Sequence, residues 1–588
     1  MRSCSQRLRD TAKGASPAAE LSRDGHQKAF SVADALVLVA CACVAVIYAF
    51  PLFHNVWNYS CGDGESYQTI NAVIRSTLID YRQFPFWNPY SGGGNVMLAH
   101  PESNFLSPLF VPILLLGPVV GVKIQIVIYY IIGLAGMYLL CRYLNFKVLP
   151  AFLAAVLFNC NSYLSNHLNV GYFIWMTILW MPWVFLFYLK SCSSAKNIVW
   201  CALVMALVLL EGGVHHLIMI FSFLVLYASF ESVRSKSFKP LLILFLAMGL
   251  FALLSGIKLI PMMQFIHDYP RRAYQMVLPY VPYWTFVVAM LDRGWYGRCY
   301  LLPQPNFTGQ EFLAYIGIIP FVLLIAGCIR CFKKYWPIIL TLVVFIFIAY
   351  GRGSFIDVWP LIKRLPGFNN QFITVRNVIV IVFCGSLIIG YYLSTWNCSG
   401  AKNVFLSIMV MCVTADLIAH GWYYIAAMPN EPVTVEKSAF VQEDTERLYP
   451  TFLKGHGNIL FWRPGRIDCA AVSVKNPSYR GEVYLLNGNG TARMEEFTPN
   501  KLRVIYTAQD DDTLVVNQNY YKGWWAFGEN RLPVSSSDGL ISVKVAKGRG
   551  AIALYYFPLM FILGSICSLA GAAVSLWVLL SQPKRKNV

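Results

Sequence analysis

Apolar segments close to twenty residues long recur along most of this chain, and they constrain its fold more than any other feature. A helix of about 20 apolar residues crosses the roughly 30 Å of hydrocarbon in a bilayer. Charged residues supply only 13% of the 588 positions, whereas a soluble domain has roughly 25%. We therefore predict a mainly α-helical, polytopic membrane protein with about twelve transmembrane helices. The predicted spans are residues 34–53, 120–141, 150–164, 173–189, 198–210, 214–230, 241–260, 312–329, 336–350, 377–393, 404–424 and 557–580.

Basic residues predict the orientation of these spans. They are concentrated in the tails before the first span and after the last, and in alternate short loops around Arg142, Lys190, Arg234, Lys334 and Lys402. The positive-inside rule places these loops and both termini in the cytoplasm. The short run at 106–120 contains three prolines, so we place it at the outer interface and do not count it as a span. The net charge of +18 reflects this topology and contact with anionic lipids, and it does not require a nucleic acid partner.

Three long segments then lie outside the membrane. Two are outer loops, at about 55–117 and 261–311, and the third follows the last but one span. The third segment alternates apolar and polar residues in short runs separated by turn signals, which predicts a small extracytoplasmic β-rich domain. The predicted organisation is a cytoplasmic basic tail (1–33), a transmembrane domain (34–425), the β-rich domain (426–556), and a last span with a second basic tail (557–588).

The first outer loop carries several ionisable residues close to the predicted membrane surface. Asp63 follows Gly62 shortly after the first span, and Glu65, His100 and Glu102 lie further along the same loop. A carboxylate there can take a proton from a substrate hydroxyl. The alternative is that these are ordinary solvated loop residues.

A second polar group, Glu211, His215 and His216, lies at the junction of two strongly apolar spans. Ionisable residues at membrane depth indicate a functional site, although the two glycines between them are equally typical of an outer hairpin turn. Adjacent histidines on a helix point about 100° apart, which argues against a simple metal chelate. On the outer side, Arg271, Arg272 and Arg376 are candidates to bind a phosphate by bidentate hydrogen bonds.

Several motifs resemble those of the YfhO-like bacterial membrane proteins, and the resemblance covers nearly the whole chain. The first loop carries Gly62-Asp63, then Phe-Pro-Phe-Trp-Asn-Pro-Tyr at 84–90, then glycines at 92–94. Further similarities are found at 212–216, at 311–317, at 365–368 leading to Arg376, and at 520–525.

The resemblance implies a GT-C type fold, and so an integral membrane glycosyltransferase in the bacterial cytoplasmic membrane. Such enzymes move a sugar from a polyprenyl-phosphate-linked donor to a cell-envelope glycan or lipid acceptor on the outer side. The acidic residue of the family's first outer loop corresponds to Asp63, which is the expected catalytic base. Glu65, His100, Glu102 and the group at 211–216 become secondary substrate-binding candidates. No cofactor is indicated, and dependence on a divalent metal stays open.

Two other classes of function remain. A transporter or flippase for a lipid-linked or polar solute would explain about twelve spans with both termini inside, with Glu211, His215 and His216 as a proton relay. Transporters of this kind often consist of two similar halves, and no such halves are visible in the sequence. A non-catalytic scaffold that presents the β-rich domain would leave the acids and aromatics of the first loop unexplained.

Overall fold

The computed structural model describes residues 30–270, 283–291, 293, 311, 313–351, 358–362, 364, 373–397, 399–460 and 466–581. This part of the chain is mainly helical. Its α-helices are α1 (Val32–Ala49), α2 (Asp63–Ile79), α3 (Val111–Tyr143), α4 (Val148–Asn159), α5 (Ser162–Asn169), α6 (Met181–Ser191), α7 (Lys196–Leu210), α8 (Val214–Ser235), α9 (Lys239–Leu254), α10 (Gly256–Asp268), α11 (Tyr283–Leu291), α12 (Ile318–Arg330), α13 (Phe332–Tyr350), α14 (Trp359–Ile362), α15 (Val378–Ser394), α16 (Ala401–Ala426), α17 (Leu448–Leu453) and α18 (Met560–Ser581).

Within the described residues, nine helical segments are long and apolar enough to cross a membrane. A tenth is added if α9 and α10, which meet at 86°, form one broken span. Two further predicted spans are apolar helices of only 15 residues (α7) and 13 residues (α12). At 1.5 Å per residue, neither crosses the roughly 30 Å of hydrocarbon alone. The multi-pass membrane architecture is confirmed, and the count of twelve stays a prediction.

The proline-broken run before the second span is set apart from that span, as the sequence indicates. Helix α3 is interrupted at Gly117, whose φ of 82° lies outside the helical region. A Cβ added to Gly121 would stand 2.6 Å from the carbonyl oxygen of Pro112. Residues nine apart in a straight helix are separated by about 13 Å, so the chain reverses at Gly117. The segment before it packs back against the start of the following helix.

The basic loops predicted to be cytoplasmic gather at one end of the helical bundle. Each of these loops contacts at least one other through a basic side chain or a backbone amide. The contacts are Arg234 Nη1 to Lys334 O at 2.8 Å, Lys239 Nζ to Cys192 O at 2.9 Å, Lys147 N to Ser394 Oγ at 3.1 Å, and Lys190 Nζ at 5.4 Å from the Tyr143 ring centroid. One end of the bundle therefore carries the positive charge that the positive-inside rule assigns to the cytoplasm.

This arrangement gives a topological prediction. A reporter fused after Lys334 should score cytoplasmic, and one inserted at the exposed turn around Gly488 should score extracytoplasmic. A reporter at the C-terminus, which is predicted to lie inside, serves as the internal control. A cytoplasmic score at Gly488 would place the first loop inside as well, because the β-rich region is docked on that loop.

The C-terminal β-rich region is confirmed, and its larger strands form two antiparallel sheets. In chain order these strands are β1 (Val483–Leu485), β2 (Gly490–Thr498), β3 (Lys501–Ala508), β4 (Asp512–Asn519), β5 (Trp524–Phe527), β6 (Arg531–Leu532), β7 (Val534–Ser537), β8 (Leu540–Val545) and β9 (Gly548–Tyr556). One sheet has the order β6-β5-β9-β3-β2 and the other β7-β8-β4-β1. Leu502, Val504 and Leu554 of the first sheet share a buried cluster with Leu514 and Val516 of the second. The two sheets therefore pack face to face as a small β-sandwich.

Short two-residue strands pair segments that are mostly far apart in the chain. Tyr59–Ser60 pairs antiparallel with Asn430–Glu431, and Trp87–Asn88 pairs antiparallel with Asn95–Val96. Gln442–Glu443 pairs in parallel with Gly457–Asn458. The first and third pairs organise the segment that joins α16 to the β-sandwich.

The aromatic and glycine run of the first outer loop is the docking surface of the β-sandwich. Trp87 is fully buried, and its indole N–H donates to Gln518 Oε1 at 3.0 Å. The side-chain amide of Asn519 donates to the carbonyls of Gly92 at 2.6 Å and Gly94 at 2.8 Å. A Cβ on Gly93, whose φ is 74°, would stand 2.6 Å from the Cβ of Ala471. This part of the loop joins the β-sandwich to the membrane domain.

Candidate functional site

Asp63 is the first residue of α2, and two glycines fix its position. Gly62 precedes the helix with a φ of 63°. Gly171, with a φ of 82°, lies so close to the start of α2 that a Cβ there would be 2.5 Å from the Cα of Gly64. Only glycine accepts both that conformation and that approach. The turn that ends in Tyr172 is therefore packed directly on the backbone of Asp63.

The Asp63 carboxylate is partly exposed and is held at the positive end of a helix. The N-terminus of α2 stabilises negative charge through the helix dipole. The side chain of Tyr172 hydrogen-bonds to Asp63. Burial, together with the nearby carboxylates of Asp63 and Glu311, raises the pKa of the Tyr172 phenol well above its usual value. Tyr172 therefore keeps its proton and acts as the donor to the Asp63 carboxylate.

A buried ion pair lies beside Tyr172. Arg376 donates to Glu311 through Nε and Nη2, both at 2.6 Å, which is a bidentate contact. His167 Nε2 stands 3.9 Å from Glu311 Oε2. Burial alone would raise the pKa of Glu311, but the Arg376 guanidinium holds that pKa below its usual range. Glu311 is consequently an ionised carboxylate in a water-poor environment.

The ring of Trp175 is the centre of this group. The Arg376 guanidinium lies 4.8 Å from the Trp175 centroid and 5.8 Å from that of Tyr172, within reach of a cation–π interaction. Three histidines surround the same indole, with centroid distances of 4.6 Å for His216, 4.7 Å for His167 and 6.0 Å for the stacked His215. We refer to Asp63, His167, Tyr172, Trp175, His215, His216, Glu311 and Arg376 as the Trp175 cluster.

Four residues that the sequence predicts as site residues thus lie in one cluster, although they come from distant segments. Asp63 is at the start of α2, His215 and His216 begin α8, and Arg376 precedes α15. The short helix Phe173–Trp180 places Trp175 among these residues. His216 is oriented by a 2.7 Å hydrogen bond between its Nδ1 and Thr177 Oγ1.

Glu211 binds side chains that do not belong to this cluster. Its carboxylate accepts hydrogen bonds from Ser107 Oγ at 2.9 Å, Tyr129 OH at 2.8 Å and Trp180 Nε1 at 2.9 Å. The buried amine of Lys258 donates to the Leu209 carbonyl at 2.9 Å, near the C-terminus of α7. Glu211 is therefore held by neutral donors from three other segments of the chain.

The remaining predicted residues of the first loop occupy two further places. Glu102 N donates to His100 Nδ1 at 3.2 Å, and the Glu102 carbonyl packs on Gly212, next to Glu211. Glu65 accepts from the backbone N–H of Tyr449 at 3.0 Å and lies 3.8 Å from Arg447 Nε. It thereby caps α17, and burial raises the pKa of its carboxyl. Arg271 and Arg272 lie outside the described residues.

Sequence reasoning did not single out four members of the cluster. His167, Tyr172 and Trp175 lie in or beside predicted apolar spans, and Glu311 entered only as the first residue of the run at 311–317. A histidine between two closely spaced apolar spans was the one signal available, since ionisable residues at membrane depth need a partner. Among the described residues, no group of three or more His, Cys, Asp or Glu side chains is arranged to hold a metal ion.

The fold and this cluster define the chain as a multi-pass membrane protein with a C-terminal β-sandwich and buried ionisable residues between its helices. No protein-family model matches the chain. A comparison with curated proteins found no match either. The YfhO-like resemblance and the activity it implies therefore stay predictions.

Proposed function

We propose that this protein is a GT-C type membrane glycosyltransferase. It moves a sugar from a polyprenyl-phosphate-linked donor to a cell-envelope acceptor on the extracytoplasmic side. The observation that supports this most is the position of Asp63, which is partly exposed, fixed at a helix N-terminus and bound by Tyr172 at the edge of a cluster containing a buried arginine.

Asp63 is the general base in this proposal. Its carboxylate takes the proton of the acceptor hydroxyl as that oxygen attacks the anomeric carbon of the donor sugar. The bond between the anomeric carbon and the phosphate oxygen breaks, and the lipid phosphate leaves with the electron pair. Because Asp63 is partly exposed, an acceptor can approach it from the aqueous side while the lipid donor approaches from the membrane side.

Arg376 is the cation that this proposal assigns to the leaving phosphate. Glu311 accepts from its Nε and Nη2. Within the described ranges no residue accepts from Nη1, so its two N–H groups can bind a further acceptor. A charge-assisted bond to phosphate is about twice as strong as a neutral one. His215, stacked on Trp175, is a second donor in the same cluster. Arg271 and Arg272 keep their expected role as further phosphate ligands.

A transporter or flippase is the second candidate, and one observation favours it. His167, His215 and His216 lie within helices that are long and apolar enough to span a membrane, next to the Glu311–Arg376 pair. Chains of such residues carry protons in pumps and transporters. On this alternative the cluster couples proton movement to solute movement, and Asp63 transfers no sugar.

Purified protein in liposomes decides between the two. With a polyprenyl-phosphate-linked sugar and an envelope acceptor, we expect sugar-bearing acceptor and free polyprenyl phosphate in equal amounts, and neither when the acceptor is omitted. A transporter would instead move intact donor or solute across the bilayer without releasing polyprenyl phosphate. Failure to transfer from every such donor would favour transport.

A further inference from the structure

A serine, a histidine and a glutamate lie in one hydrogen-bonded line on the outer side, in the segment that joins α16 to the β-sandwich. The hydroxyl of Ser438 lies 2.5 Å from His456 Nε2. The other ring nitrogen of His456, Nδ1, is bonded to the carboxylate of Glu443. No residue of this group belongs to the Trp175 cluster.

The carboxylate fixes the direction of one hydrogen bond, and in the neutral form of His456 it thereby sets the direction of the other. An ionised carboxylate only accepts, so Nδ1 of His456 must carry the ring proton and donate it to Glu443. Neutral His456 then has its lone pair on Nε2, which accepts the hydroxyl proton of Ser438. This is the arrangement in which a histidine acts as a general base on a serine and a carboxylate orients the histidine.

Backbone hydrogen bonds hold Ser438, Glu443 and His456 close together. Glu443 lies in a two-residue strand that pairs in parallel with Gly457–Asn458, directly after His456. Ser438 N donates to the Lys454 carbonyl at 2.8 Å, so the serine is tied to the same turn that carries the histidine. Gly455, with a φ of 89°, permits that turn.

The side chains of Ser438, His456 and Glu443 differ in their exposure to solvent. Ser438 is exposed, whereas the side chains of His456 and Glu443 are only 12% and 15% exposed. A reactive hydroxyl is thus open to solvent while its base and the orienting acid are shielded, which suits nucleophilic catalysis.

We propose that Ser438, His456 and Glu443 form a second active centre, a serine esterase that acts on short carboxylic esters. The site is on the surface, so a small acyl group carried by a larger polar molecule fits it better than a long acyl chain. This activity is independent of the proposed sugar transfer.

The reaction follows from the geometry. Ser438 Oγ attacks the ester carbonyl carbon while His456 Nε2 takes its proton, and the resulting tetrahedral intermediate collapses. The bond from carbon to the alcohol oxygen breaks, and His456 returns the proton to the leaving alcohol. Water, deprotonated by His456, then attacks the acyl-serine and releases the carboxylic acid and free Ser438.

The backbone also offers a donor for the tetrahedral oxyanion. In the part of the chain that the structure describes, the Ala439 N–H makes no hydrogen bond. The N–H of the residue after the nucleophile is a recurring oxyanion donor in serine hydrolases. The N–H of Ser438 itself is taken by Lys454.

A serine-directed fluorophosphonate and p-nitrophenyl acetate test this proposal on the full-length protein. The fluorophosphonate should label Ser438 with loss of fluoride, and p-nitrophenyl acetate should be hydrolysed. Ser438→Ala should lose both reactions. Glu443→Gln should slow them by roughly 10²–10⁴-fold, because the amide no longer holds the protonated ring in place. Ser536, an exposed serine in the β-sandwich whose hydroxyl accepts from Gly539 N, is the matched control, and Ser536→Ala should change neither rate.

Thermal unfolding of each variant separates loss of chemistry from loss of fold. If Ser438→Ala and Glu443→Gln melt like the wild type but lose labelling, the three residues are catalytic. If wild-type Ser438 is labelled no faster than Ser536, the proposal is wrong. The hydrogen bond between Ser438 and His456 then only stabilises the fold of the 438–457 segment. Asp63→Asn should keep full esterase activity, so failure of the sugar-transfer proposal would leave this result unchanged.

Discussion

Replacing Asp63 by asparagine is expected to lower sugar transfer by about 10²–10⁴-fold, the usual contribution of a general base. The amide keeps the size of the carboxylate and can still accept a hydrogen bond from Tyr172, but it cannot take the proton of the acceptor hydroxyl. Expression, membrane insertion and donor binding should stay near wild type, because Asp63 is partly exposed and is not part of the buried ion pair. Transfer rates of purified variants with lipid-linked donor and envelope acceptor measure the effect.

Two controls sharpen this test. Glu65→Gln removes the neighbouring charge from the same helix, but its side-chain oxygen can still accept from the Tyr449 N–H, so transfer should fall much less. Tyr172→Phe removes the hydrogen bond to Asp63 without removing the base, and a loss of roughly tenfold is expected. A normal transfer rate for Asp63→Asn would mean that another residue is the base, with Glu102 the next candidate.

Replacing only one partner of the Arg376–Glu311 pair should lower the free energy of unfolding by about 3–5 kcal/mol, because the other partner is left as a buried charge without its counter-charge. Arg376→Met and Glu311→Gln each do this, from opposite sides of the bidentate contact. The double variant removes both charges, so most of the lost stability should return. Thermal unfolding of the purified proteins in detergent measures the change in stability for the two single variants and the double variant. These three changes form a double-mutant cycle.

Donor binding separates the structural role of Arg376 from its proposed functional role. In the double variant the fold is restored but the cation is absent, so affinity for the polyprenyl-phosphate donor should stay low. Wild-type donor affinity in that variant would move the phosphate site away from Arg376. Single variants as stable as the wild type would instead show that water reaches the pair and screens the charges.

Much of the architecture could be predicted from local sequence. Whether a segment is apolar enough to enter a bilayer depends on its own composition, so the sequence alone located the helices that could cross it. Alternation of apolar and polar residues is equally local, and it correctly indicated the β-rich region. The three prolines in the run at 106–120 indicated that this run is not part of the second span, and the structure separates the two at Gly117.

The two predicted spans that are too short show where local reasoning stops. Helix α7 ends at Leu210, beside the buried amine of Lys258, which donates to the Leu209 carbonyl from a different helix. A run of apolar residues shows that a segment can enter the bilayer. The residue at which its helix ends, however, depends on partners such as Lys258 from elsewhere in the chain.

The roles within the first outer loop could not be read from the sequence for the same reason. The Trp-Asn-Pro-Tyr run resembles part of an active-site loop, yet Trp87 is bonded to Gln518, 431 residues away. Glu65 looks like a neighbour of Asp63 in function, but two residues along the helix turn its side chain by about 200°. Glu65 therefore faces Tyr449 and caps α17 instead.

The sequence by itself determined that this chain carries many segments apolar enough to cross a membrane, and it singled out Asp63, His215, His216 and Arg376 as candidate site residues. Only the tertiary structure decided that these four residues meet around Trp175, while Glu211 and Glu65 serve other contacts. The physical reason is that membrane entry and strand alternation depend on local composition. A site depends on close approaches such as that of Gly64 to Gly171, which bring distant segments into contact.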